Sequence, residues 1–410
     1  MGKLKIGVFG AGRGMTMVRQ LFKSEDAELV AVCDKYQPIL DRCRREAEAA
    51  GMDKVRYFPD FDSFIESDMD AVIMANYANE HAPFAIRCLE SGRHVMSEVL
   101  TCTTMDEAVR LIEAVERTGK VYSYAENYCY TPPRREMRRR YRNGDIGELI
   151  YAEGEYVHDC TSIWPQITYG ERNHWRNDMH STFYCTHSLG PILHMTGLRP
   201  IRVSGFQSPY TRPQAELGYK MPAAGLELVT LENGAFVKSL HGCAMKPNSD
   251  NYQINGEYGM FKQKGGNVLA YVEQQGQNCR GEWKEYTPEP EQVAAVGSGH
   301  GGGDFFTTYY FIRSIIGDEY ALENTINVYD AVDMCICGIL AYKSIVDGNK
   351  SYDVPNLRNI AERDAYRGDT FCSFRNIGGN MYVPYEIGDK NIPDSVYEEV
   401  ERRWRAGEPG

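Results

Sequence analysis

The first 125 residues alternate short apolar runs with stretches of helical length, and this alternation restricts the chain more than any other feature. Residues 3–9, 29–33, 55–58, 71–75, 94–97 and 121–125 read as strands. Residues 15–22, 38–51, 80–91 and 105–118 read as helices, with Pro38 opening the second and Gly92 and Gly119 ending the last two. The strand at 29–33 is apolar throughout, as a strand covered on both faces must be. Strands spaced by helices of this length imply a doubly wound α/β sheet with parallel strands.

Beyond about residue 150 the rhythm changes. Residues 201–208, 224–231 and 235–240 read as strands with no helix between them, and Asn233-Gly234 marks a hairpin. Residues 251–264 read as a further strand pair turning at 256–259. Residues 305–316 and 325–346 read as helices that pack back on the sheet or on the first domain, and 394–405 as a charged helix or tail. A chain of 410 residues exceeds one ordinary core. The expected division is therefore 1–126 and 127–410, the second part an α+β domain with an open, mainly antiparallel sheet.

Composition narrows the partners. A net charge of −12 argues against nucleic acid. The one basic cluster, Arg134-Arg135 and Arg138-Arg139-Arg140, reads as a solvated helix face, or else as a hold on a cofactor phosphate or on a carboxylate across a subunit contact. No apolar run approaches the roughly 20 residues of a membrane span. The N-terminus has neither the apolar stretch of a signal peptide nor a myristoylation pattern, since position 6 is Ile6. The 12 cysteines form no C-x-x-C pair and read as buried thiols of a cytoplasmic protein.

Between the first strand and helix lies Gly10-Ala11-Gly12-Arg13-Gly14-Met15. Gly10 and Gly12 allow a tight turn and close approach of the backbone to a pyrophosphate, with the helix N-terminus facing the phosphates. Met15 takes the place of the third glycine of G-x-G-x-x-G, with Gly14 beside it. Asp34, 22 residues after Gly12, ends the second strand, where an acid bonds the ribose hydroxyl. Its charge would repel a 2′-phosphate, so the Rossmann-type domain is read as binding NAD rather than NADP, although Lys35 adjoins it. The cofactor contacts are placed on Gly10, Gly12, Arg13, Gly14, Met15 and Asp34, and on Asn76, His81, Glu98 and Asn127 near the carboxyl ends of later strands.

Those strand ends carry a resemblance. The first half looks like the glucose-fructose oxidoreductase/inositol dehydrogenase/MocA family, two-domain NAD(P)-dependent enzymes of sugars and polyols. That family usually has Glu-Lys-Pro after the fifth strand, its Lys assisting hydride chemistry; here the residues are Glu98-Val99-Leu100. A narrower resemblance accounts for the missing Lys. Ser97-Glu98-Val99, Ala125-Glu126-Asn127-Tyr128, Glu155-Tyr156-Val157-His158-Asp159, Tyr184-Cys185-Thr186-His187-Ser188-Leu189-Gly190-Pro191 and Gly299-His300-Gly301-Gly302-Gly303-Asp304 are similar, in order, to the family 109 glycoside hydrolases. These are NAD-dependent glycosidases known for removing α-linked N-acetylgalactosamine. Cys185 and Ser188 depart from that pattern, and the segment between Asp159 and Trp175 is unmatched.

The resemblance implies transient oxidation at the sugar C3, loss of the C2 proton, departure of the C1 group, addition of water and re-reduction. It places Tyr156 as the C2 base, Glu126 in positioning or proton transfer, and His187 with Tyr184 at the C3 hydroxyl. Substrate contacts fall to His158, Trp175, Arg176 and His300. On their own residue types, a strand tyrosine ordinarily packs, His158-Asp159 equally suits a structural pair, and Trp164 and Trp175 suit core packing as well as stacking on a sugar. His180, His187 and His194 are spaced by seven and could share a helix face, but no pair has metal-ligand spacing, so no metal is expected. The expected partner is a carbohydrate or glycoside, and the family expectation is a homo-oligomer, dimer or tetramer. A net sugar 3-dehydrogenase and a non-catalytic NAD-bound sensor are the competing readings.

Overall fold

The computed structural model describes residues 2–273, 280–289, 292–374, 377 and 392–408. The chain packs into two compact units. One comprises Met1–Cys102, Glu107–Pro132 and Glu289–Val332; the other comprises Thr103–Asp106, Pro133–Pro288 and Asp333–Gly410.

In the first unit β1 (Leu4–Phe9), β2 (Ala27–Cys33), β3 (Arg56–Phe58), β4 (Ala71–Met74), β5 (His94–Ser97) and β6 (Tyr122–Tyr124) form one parallel sheet in the order β3-β2-β1-β4-β5-β6. The order reverses between β1 and β4, and ligands of such sheets bind beyond the strand ends at that point. Gly10 follows β1 there and Asn76 follows β4. The helix Ala11–Leu21 lies close on β1 because Gly14 has no side chain: a Cβ would stand 2.7 Å from Val8 Cγ1. Gly14 thus does the packing that the third motif glycine would do one position later. The helix Gly303–Ile315 lays Phe311 and Ile312 into the core that holds Ile6, Val8 and Met96. This burial explains why the segment from Glu289 returns to the first unit.

The second unit is built on nine strands: β7 (Leu149–Val157), β8 (Pro200–Gln207), β9 (Ala224–Leu231), β10 (Phe236–Gly242), β11 (Ser249–Gly256), β12 (Gly259–Lys264), β13 (Asn267–Val272), β14 (Glu282–Tyr286) and β15 (Tyr352–Asp353). Their order is β14-β13-β12-β11-β7-β10-β9-β8-β15. All neighbours are antiparallel except β7 and β10, which run parallel and set His241 beside Tyr156. The hairpin between β9 and β10 turns at Gly234, φ +88°.

The helix Thr186–Thr196 crosses one face of this sheet. It approaches so closely that a Cβ on Gly154 would collide with the Ser188 carbonyl, and Ser188 Oγ lies 2.8 Å from Ser239 Oγ. His180 precedes this helix and caps the turn Ser181–Tyr184, so the seven-residue spacing does not put three histidines on one helix. The opposite face of the sheet leaves Ile150, Phe206, Leu228 and Phe236 between 38% and 54% exposed.

The basic cluster is a solvated face only in part: Arg139 is exposed and pairs with Glu136, while one stripe of the helix is covered. On the helix Pro132–Arg142, Arg134 is 1% exposed, pairs with Asp250 and lies over the Tyr252 ring at 4.1 Å. Tyr252 Oη in turn donates to the His187 carbonyl. One and two turns on, Arg138 and Arg142 donate to the His194 carbonyl at 3.2 and 3.4 Å, near the C-terminus of the same crossing helix, where cations are favoured. The stripe braces the helix that begins beside His187.

The segment unmatched by resemblance folds into the short helices Trp164–Thr168 and Trp175–Asp178. Trp164 packs against Tyr219 in an apolar cluster with Cys160 and Cys243. The stretch Glu319–Val346 is long and apolar enough to cross a membrane by length and composition, and 83% of its most apolar window is buried inside the protein.

Candidate active site

Each unit carries one half of the sequence-predicted site. In the first, Gly10 has φ +91°, and a Cβ there would collide with the Ala75 carbonyl, so only glycine lets β1 turn into the helix against β4. The helix Ala11–Leu21 starts with no side-chain cap and no acid in its first turn. Its N-terminal amides and partial positive charge are therefore suited to a phosphate. Asp34 closes the other side: Oδ2 accepts from Ala11 N at 2.8 Å and Oδ1 from Tyr36 N at 2.9 Å. Burial raises the Asp34 carboxyl above its usual range, against the backbone N–H groups and Lys35 that lower it. The Lys35 ammonium stands 4.2 Å over the Tyr77 ring.

Three of the residues placed by sequence, Arg13, Asn127 and His300, converge on Asp304. Arg13 reaches it through two nitrogens, at 2.6 and 3.2 Å, and also pairs with Glu98 Oε1 at 2.8 Å. Asn127 Nδ2 donates to Asp304 Oδ1 at 2.7 Å and His300 Nδ1 to Oδ2 at 2.9 Å. Burial opposes ionisation of Asp304, but His300 and Arg13 outweigh it and hold the carboxyl far below its usual range. His300 belongs to this cofactor-side cluster by contact, and its backbone is left-handed, φ +52°. In the sequence Asp304 stands only as the acid closing the run Gly301-Gly302-Gly303, with nothing there to pair it with Arg13.

His81 is buried with its ring between the Leu100 and Asn76 carbonyls, at 2.9 and 3.2 Å, and burial lowers it to about 4. The ring is neutral, so its single N–H donates to one of these two carbonyls. Glu126 is fully buried, and its carboxylate accepts from Tyr128 N at the turn that presents Asn127. The side-chain oxygens of Asn76 and Asn127 are buried without a hydrogen-bond partner among the described residues. Such atoms call for a ligand or water. A glycine cradle, an uncapped helix start, an acid at the end of β2 and two orphaned amide oxygens together fit a dinucleotide.

In the second unit the ends of β7 and β10 and the start of the crossing helix gather one aromatic cluster. The Tyr156 ring lies 4.7 Å from His187, 5.7 Å from His158 and 5.6 Å from His241. Tyr184 lies 5.1 Å from His187 and 5.3 Å from His241. Tyr156 Oη is 3.2 Å from His158 Nδ1. His158 thus contacts Tyr156, while Asp159 turns away to accept from Thr161. The Arg176 guanidinium stacks on Trp175 at 4.3 Å and reaches the Tyr184 ring at 5.9 Å. Trp175 is largely buried in that stack and against His174. The cluster offers phenols and imidazoles in mutual reach, the groups needed for moving protons at sugar hydroxyls.

Comparison with known proteins agrees with both halves. Residues 4–126 match the oxidoreductase family, NAD-binding Rossmann fold, and residues 136–361 match the C-terminal domain of glycosyl hydrolase 109. A glycosyl hydrolase family 109 protein of Shewanella sp. (strain W3-18-1) is 26% identical over 400 residues, covering 87% of this chain and 85% of its own. A protein of the same name from Shewanella baltica (strain OS155) is 26% identical over 405 residues, covering 89% and 87%. Among solved structures, a levoglucosan dehydrogenase in complex with NADH and L-sorbose shares the fold at a TM-score of 0.69 and 17% identity, over 87% of this chain and all of that one. An oxidoreductase from Agrobacterium radiobacter, in complex with NAD+, L-tartaric acid and magnesium, does so at 0.67 and 15%, over 86% and 98%. With an NAD-binding first domain and a second domain matched over more than half of its length, the chain belongs to glycosyl hydrolase family 109 and is an NAD-dependent enzyme.

Proposed function

We propose that the protein is a glycosidase that cleaves by transient oxidation at C3 of the sugar, with no net redox change. The observation that carries this reading is the cluster of Tyr156, His158, Tyr184 and His187 in the second unit, in a chain with Val99 where related dehydrogenases have lysine. Bound NAD would supply a reversible hydride acceptor. It would be held by the Gly10 turn, the start of the helix Ala11–Leu21, Asp34, Asn76 and Asn127, with Arg13, Glu98, His300 and Asp304 ordering that side. Glu126 positions Asn127 by capping its turn.

His187, with Tyr184 against its ring, takes and returns the C3 hydroxyl proton. A ketone at C3 acidifies the proton on C2, and Tyr156 removes it, with His158 at 3.2 Å from its phenol oxygen as the neighbouring proton store. Arg176, stacked on Trp175, reaches the cluster just after residues 160–174, the segment no resemblance covers, and the choice of sugar and leaving group is assigned to this region. The apolar outer face of the nine-stranded sheet supports association of copies into a dimer or tetramer, which light scattering measures.

Hydrolysis of an aryl glycoside in heavy water tests the reading. Aglycone release should run through many turnovers per cofactor without accumulating NADH, and deuterium should appear at C2 of the sugar. A two-carboxylate displacement leaves C2 untouched. Steady NADH production without cleavage makes the protein a net sugar dehydrogenase. Tyr156→Phe should reduce turnover about 10²–10⁴-fold, the usual reach of a general base, and abolish C2 labelling.

A further inference from the structure

The second-unit cluster contains one side chain that the sequence did not single out and that the proposed steps leave unused. His241 lies on β10 in register with Tyr156 on the parallel neighbour β7. Its ring stacks on Tyr156 at 5.6 Å with an interplanar angle of 26° and lies 5.3 Å from Tyr184. It is 2% exposed, and Nδ1 is buried with no hydrogen-bond partner among the described residues. The groups facing it are His187, His158 and His180, the Ser181 carbonyl, and the rings of Tyr156 and Tyr184. Burial first, then His187 and His158, hold it well below the usual histidine range, so the ring is neutral.

A neutral imidazole carries one N–H. The Ser181 carbonyl accepts a hydrogen bond from this ring, and Nδ1 is the nitrogen without a partner. The proton therefore sits on Nε2, and Nδ1 presents a bare lone pair. Native interiors rarely leave such an atom unmatched. Nothing about packing requires a nitrogen there, since a phenyl ring would fill the same place between the two tyrosines. The partner this atom lacks must bring a donor hydrogen, which a sugar supplies as an O–H.

We propose that His241 is a further substrate-recognition residue, whose Nδ1 accepts a hydrogen bond from a hydroxyl group of the bound sugar when Tyr156 or Tyr184 shifts to admit it. The assignment rests on the reading of this cluster as the sugar site. It makes His241 a device that weakens the free protein and is satisfied only in the complex. That is a means of discrimination: a site that leaves a buried polar atom unpaired rejects an analogue lacking the matching hydroxyl.

The test is His241→Phe beside His241→Asn, both as NAD-loaded full-length protein, with p-nitrophenyl glycosides and the free sugars as probes. The expected signature is opposed. His241→Phe melts at the same temperature as wild type or a few degrees higher, because an unmatched polar atom is gone, yet its KM rises at least 10-fold and its sugar-induced melting shift is lost. His241→Asn, which keeps an acceptor, recovers part of the affinity. NAD affinity, measured by calorimetry, stays unchanged in both. A lower melting temperature for His241→Phe with unaltered KM makes the ring a packing element and overturns the inference. Full activity and affinity in His241→Phe mean that Nδ1 holds only a trapped water, which overturns it equally. If wild type binds no sugar of the panel, the reading of the cluster as a sugar site fails, and a melting temperature of His241→Phe below wild type then removes the inference on its own account.

Discussion

Asp34 already has a structural task before any ligand arrives. Its two oxygens already accept from Ala11 N and Tyr36 N, tying the end of β2 to the start of the first helix. A charge-assisted hydrogen bond contributes about 1.5–3 kcal/mol. Asp34→Ala should thus weaken NAD roughly 10- to 100-fold, while NADP, no longer repelled, loses less. Calorimetry with both nucleotides measures the ratio, and an unchanged NAD/NADP preference would show that the ribose end lies elsewhere. The place of Asp34 at the end of β2, against the glycine turn, was legible from sequence because its signal is local: a glycine turn, a spacing and a strand end. Asp304 was not, since Arg13 meets it across 291 positions of chain and only the fold brings them together. His241 escaped for another reason. It stands in a strand without a motif, and its place beside Tyr156 depends on a parallel pairing of β10 with β7 inside a sheet whose sequence reads as antiparallel.

At the scale of elements, the helix Thr186–Thr196 is fixed from above by the arginine stripe and from below by the sheet, where Gly154 and Ser239 admit it. Beneath it Glu227 on β9 pairs in register with Ser239 on β10 and is fully buried. Burial pushes its carboxyl up to about 8, well above the usual glutamate range, so it is protonated at neutral pH. The consequence for stability has a definite sign. Below the unfolded value both states hold the proton and Glu227 costs nothing. Between the unfolded value and about 8 the unfolded chain ionises while the folded one does not, so stability falls as pH rises; above 8 the loss is constant. The span corresponds to roughly 3–5 kcal/mol. Glu227→Gln should flatten the fall in melting temperature between pH 5 and 8 and leave acid stability unchanged. An unaltered slope would mean that the carboxyl ionises in place. The apolar runs at 224–231 and 235–240 made β9 and β10 visible from sequence, and the Asn-Gly hairpin fixed the turn between them. The basic cluster misled because helical spacing says which arginines share a face and not whether another helix covers that face.

For the whole molecule, the decisive feature is that the first unit is discontinuous in sequence. A cut near residue 126 follows the change from alternating to antiparallel pattern, but the helix Gly303–Ile315 puts Phe311 and Ile312 into the core of the parallel sheet and Asp304 onto Arg13 and Asn127. Tyr130 Oη likewise donates to the Asn324 carbonyl at 2.8 Å. A fragment of residues 1–132 would contain every glycine and acid of the nucleotide motif. It would nonetheless expose the apolar surface those two side chains cover, at about 1.5–3 kcal/mol for each, and would leave Arg13 without its deepest partner. Domains of this size have only about 5–15 kcal/mol in hand. Fragment 1–132 should therefore lack a cooperative melting transition and bind NAD at least 100-fold more weakly than the full chain. Joining 289–332 to it through a long Gly/Ser linker should restore both. In the full chain, NAD at 100 times its dissociation constant should add about 2.7 kcal/mol of stability. Near-UV circular dichroism and calorimetry read both effects. Native-like affinity in 1–132 alone would mean that the returning helix is an accessory to the nucleotide fold, and that Asp304 orders Arg13 without being needed for the cofactor to bind.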